Sequence, residues 1–129
     1  MSNHEQLNNA FARAMATVQI RSGQLKAESD RRDYEGVGHT ARQVVTIWLV
    51  GRALCRRLIE CKEPSPYADG ACVLLEEKYM ALLALFEHAA TTIAVPRMHR
   101  ELSELRGTLV TAMAELLVES SSPARRSSR

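Results

Sequence analysis

The run LEEKYMALLALFEHAATTIAVPRMHRELSELRGTLVTAMAEL, from Leu75 to Leu116, decides the fold. Leu75, Tyr79, Leu82, Phe86, Ala89 and Ile93 recur in alternating steps of four and three, the spacing that lines one face of an α-helix. Val73, Leu74, Met80, Leu83 and Leu85 widen that face beyond what one neighbour covers, which predicts a helix buried on more than one side. Carried past Ile93, the rhythm would land on Pro96, Arg100 and Ser103. The apolar residues that follow are instead Met98, Leu102, Leu105, Leu109, Ala112 and Leu116. The phase slips at a proline, so two helices, spanning about 66–92 and 97–119, meet in a turn.

The same logic extends upstream. Pro64-Ser65-Pro66 stops whatever precedes it, and Ser65 followed by Pro66 suits a helix start, because proline lacks a donor that would be unsatisfied there. Before it, Val44, Ile47, Leu54 and Leu58 form a stripe that Val45, Trp48, Leu49 and Val50 broaden, marking the central helix of the set. Gly51 falls on this stripe and reads as a packing glycine that lets another helix approach. Thr40-Ala41-Arg42-Gln43 has capping-box spacing, so this helix is expected from Thr40 to about Lys62, with Gly36 and Gly38 making the turn ahead of it. Leu7, Phe11, Ala14, Val18 and Leu25 set a first helix over about 5–32, with Arg21 in its one polar slot.

Length and composition agree with this reading. The chain of 129 residues is roughly one domain, and its 46% hydrophobic content offsets the entropy of ordering it. Six Gly, four Pro and 5% aromatics favour helices over strands. The expectation is an all-α helical bundle of about four helices over 1–119. Residues 120–129, with three arginines, five serines and no large apolar side chain, predict a disordered basic tail.

Chemistry is harder to find. His4, His39, His88 and His99 never fall at i, i+3 or i, i+4, and no Glu-x-x-His pair exists, so no metal or other cofactor is expected. Glu87 and His88 are neighbours on a helix and point about 100° apart, which suits solvation better than acid–base work. No phosphate loop or nucleophile elbow occurs. Three cysteines, Cys55, Cys61 and Cys72, with no C-x-x-C pair and no apolar leader, are expected to be free thiols in a cytoplasmic setting. No apolar run approaches the ~20 residues of a membrane span.

Two function classes remain. Positive charge gathers in residues 39–63, with five basic against two acidic side chains, and in the tail, while residues 64–96 are acidic. Arg52, Arg56 and Arg57 are expected to face the acids Glu76, Glu77 and Glu87 of the next helix across an antiparallel rim. Alternatively, with Arg125, Arg126 and Arg129, they grip nucleic-acid phosphates. The apolar width of the last three helices exceeds what a small core needs. It favours a non-enzymatic adaptor or chaperone-like protein that takes a protein partner's helix or self-associates. The residues expected at that partner surface are Met98, Leu102, Leu109, Val110, Met113 and Leu117.

Overall fold

The computed structural model describes residues 2–63 and 65–120, and over them the chain is an all-α bundle of four helices. They are α1 (Asn3–Asp30), α2 (Tyr34–Ile59), α3 (Ala68–Thr92) and α4 (Pro96–Ser120). At 1.5 Å per residue each is about 40 Å long, and the short links fold each helix back on its predecessor. Helices α2 and α3 each pack against the other three. Contacts fix the directions. Thr40 meets Glu28, and Trp48 and Cys55 meet Leu75 and Cys72, so sequence neighbours run antiparallel. Arg42 meets Glu101 while Arg56 meets Glu119, so α2 and α4 run parallel.

Local chemistry explains the helix ends. The Ser2 hydroxyl accepts the Glu5 N–H at 3.1 Å and caps α1. At the far end the Asp33 N–H donates to the Glu28 carbonyl and the Arg32 N–H to that of Ser29, a Schellman closure. Its left-handed residue is Arg32, with φ of 56°. The Asp33 carboxylate then accepts the Gly36 N–H and starts α2 six residues before the expected Thr40.

Gly36 and Gly38 therefore lie inside α2 instead of forming a turn, and neither has positive φ. Their role is close approach. A Cβ on Gly36 would overlap the Glu28 carboxylate and Asp33, and one on Gly38 would sit 3.2 Å from Glu101 Oε2. Thr40 is not a cap. It is buried, and its hydroxyl donates to Glu28 Oε1 at 2.6 Å, while Gln43 pairs with His39. At α3 the Ser65 hydroxyl accepts the Tyr67 N–H, and Pro66 and Tyr67 form a turn ahead of a helix that begins two residues later than expected.

The core is one cluster. Phe11, Met15, Val18 and Leu25 of α1 meet Val44, Trp48, Cys55 and Leu58 of α2, then Leu75, Leu82 and Phe86 of α3 and Leu102, Leu109 and Leu116 of α4. Met15, not Ala14, carries the α1 seam, because its terminal methyl fills the space left open at Gly51. Gly51 thus packs as the sequence suggests. Trp48 is fully buried, and its indole N–H donates to the Leu75 carbonyl at 3.1 Å, so a large polar-tipped ring is satisfied at the centre of the bundle. No described helix is long and apolar enough to cross a membrane. α4 runs on through Ser120, and the expected disordered tail otherwise lies outside the described residues.

Candidate functional site

The six residues expected at a partner surface divide between core and solvent. Met98, Leu102, Leu109 and Met113 are buried within the bundle and are not available to a partner. Met113, 3% exposed, is the instructive correction. At about 100° per residue it lies only about 40° from Leu109 around α4, close enough for the core to absorb it. Val110, about 100° from Leu109, emerges at the edge of the helix, as does Leu117, and both are exposed.

The exposed face of α4 has an unusual composition. Between Arg106 and Glu119 its exposed side chains are Thr108, Val110, Thr111, Ala114, Glu115, Leu117 and Val118, so one charge occurs in three turns. Gly107, Thr111, Ala114 and Val118 follow steps of four, three and four and form a seam diametrically outward from Leu109. Val118 is 72% exposed at its end. Val73 and Met80 are further exposed apolar residues on the outer face of α3, seven positions apart. Sequence reading found the flank of α4 but missed this seam, because glycine, threonine and alanine carry no hydropathy signal.

The arginines are placed differently from either expectation. Arg52 is half-buried, and its Nε donates to the Ala112 carbonyl at 2.7 Å while its terminal nitrogen meets Glu115 at 3.4 Å. Arg56 Nε lies 3.0 Å from both Glu60 and Glu119. The acids that balance these arginines therefore come from α4 and from Glu60 at the end of α2 itself, and not from Glu76, Glu77 and Glu87 of α3. The cause is the parallel course of α2 and α4, which keeps successive arginines level with successive glutamates. Arg57 is exposed, and Arg125, Arg126 and Arg129 lie outside the described residues. Two of the three described arginines are thus committed to carboxylates, and no phosphate clamp is assembled from them.

A cavity of about 460 Å³ opens between the N-terminal turns of α2 and α4, lined by Tyr34, His39, Arg42, Met98 and Glu101 among others. Arg42 and Arg97 both lie against Glu101, at 3.5 and 3.6 Å, so its charges are largely balanced. His88 pairs with Asp30 of α1 at 2.9 Å rather than with Glu87, and both partners face solvent. Among the described residues no three His, Cys, Asp or Glu side chains gather as metal ligands. The contact least visible in the sequence joins Cys55 and Cys72, whose sulfurs lie 3.5 Å apart. The two are seventeen residues apart, and only the antiparallel register of α2 and α3 brings them together. The chain matches no protein-family model, no curated protein and no solved structure.

Proposed function

We propose that this protein is a non-enzymatic interaction module that pairs with a second copy of itself through the outer seam of α4. The observation that carries the reading is the seam Gly107, Thr111, Ala114 and Val118, exposed and uncharged on a helix that already has a complete inner face. A solvated helix ordinarily sets charges opposite its core stripe.

The seam suits its own image. When two α4 helices cross antiparallel about a two-fold axis between Thr111 and Ala114, Gly107 of each copy faces Val118 of the other, and Thr111 faces Ala114. The largest seam residue thereby meets the gap left by the smallest, and the neighbouring charge, Glu115, lies at the α2 edge, where Arg52 pairs with it. Val110 and Leu117 flank the contact on the α3 side.

The test is sedimentation velocity with circular dichroism on wild type and Ala114→Glu. Position 114 is exposed and glutamate is a good helix former, so the monomer fold tolerates the change, while a dimer seam would have to bury an unpaired carboxylate. A wild-type dimer and a folded, monomeric variant are the expected results. A wild type that stays monomeric at high concentration, or a variant that stays dimeric, overturns the reading. In the first case the same seam is left to a partner helix.

A further inference from the structure

We propose that Cys55 and Cys72 form a reversible dithiol–disulfide site that takes two oxidising equivalents from a hydroperoxide. This inference is independent of the dimer reading. Cys55 is fully buried on α2, Cys72 is half-buried in the second turn of α3, and their sulfurs are 3.5 Å apart. Closing that gap to a disulfide's 2.05 Å needs an approach of about 1.5 Å. Cys61, the remaining thiol, lies just beyond α2 and donates instead to the Arg57 carbonyl in its last turn at 3.2 Å.

The environment assigns the two sulfurs different tasks. The hydrogen bond shared by the two sulfurs holds Cys72 below its ordinary pKa, against the opposing effects of burial and of Asp69 and Glu76. The same hydrogen bond raises Cys55 well above its ordinary value; burial adds to the rise and Arg52 offsets part of it. Cys72, half-buried where Cys55 is fully buried, is the more accessible sulfur as well as the better thiolate, and the thiolate is the nucleophile.

The chemistry closes in two steps. Cys72 Sγ attacks the hydroperoxide, an S–O bond forms as the O–O bond breaks, and the departing alkoxide or hydroxide takes up a proton. This leaves Cys72 as a sulfenic acid. Cys55 then attacks that sulfur, losing its own proton. An S–S bond forms, the S–O bond breaks, and the leaving hydroxide combines with the proton as water. The net change is two thiols and one hydroperoxide giving one disulfide, one alcohol or water, and one water. A thiol reductant reverses it.

The experiment treats the full chain with hydrogen peroxide and follows free thiols and disulfide-linked peptides. The expected result is a fall from three free thiols to one, with an intramolecular Cys55–Cys72 peptide forming faster than any oxidation at Cys61 and disappearing on reduction. In Cys55→Ser, Cys72 should stop at a sulfenic acid that dimedone traps. In Cys61→Ser, disulfide formation should be unchanged. Oxidation confined to Cys61, a link between molecules, or retention of all three thiols overturns the proposal.

Discussion

Arg32 holds a φ of 56°, a conformation in which its Cβ crowds the following carbonyl. Arg32→Gly is therefore expected to stabilise the fold by roughly 1 kcal/mol, read as a higher urea midpoint at unchanged slope. Thr40 makes the opposite case. Thr40→Val keeps the shape but leaves the buried Glu28 carboxylate without the hydroxyl that donates to it at 2.6 Å. A loss of about 2 kcal/mol is expected, largely restored in Thr40→Ser, and equilibrium denaturation of the three proteins decides it. These two residues also show why the α1–α2 turn was misread from sequence. Gly36 and Gly38 are the nominal turn formers, yet they serve helix contact, while the left-handed position fell to an arginine. Thr40 matched a capping motif for the same reason that it suits a buried carboxylate: a short hydroxyl near a helix start.

At the scale of a helix, the stripe of α4 was legible through Met98, Leu102, Leu109, Ala112 and Leu116, because a four-three rhythm survives in any packed helix. Which neighbours of that stripe are also covered depends on where the other helices lie, and the sequence of α4 does not contain that. Leu105, read as part of the seam, is only half-buried, whereas Leu109 is fully enclosed. Leu109→Ala is therefore expected to cost about 2–5 kcal/mol through lost burial and a cavity, and Leu105→Ala markedly less, as thermal or urea melts will show. The α2–α4 contact gives a parallel comparison. Arg52, with 13% of its side chain exposed, spends a charged hydrogen bond on the Ala112 carbonyl. Arg52→Met should cost roughly 1.5–3 kcal/mol, while Arg57→Ala at an exposed site should stay within about 0.5 kcal/mol. If the two melts coincide, the contact with Ala112 contributes nothing to stability.

For the whole molecule, four helices and one core followed from the periodicities, but the order in which the helices sit around the core did not. That order comes from close approaches at Gly38 and Gly51, and from Trp48 reaching the Leu75 backbone, and the periodicity that marks Gly51 and Trp48 as inward-facing does not name the helix each one meets. The up-down-up-down course carries a consequence for connectivity. α1 starts and α4 finishes at the same end of the bundle, on opposite sides of the α2–α3 pair, so a bridge across that end can close the chain. A circular permutant cut between Ala94 and Val95, with Ser120 joined to Ser2 by a flexible Gly/Ser bridge of roughly 20 Å, about two helix diameters, keeps every interhelical contact. Far-ultraviolet circular dichroism and a single cooperative urea transition matching wild type are expected of it. A permutant that loses helicity would show that the bundle needs its α3–α4 link to assemble.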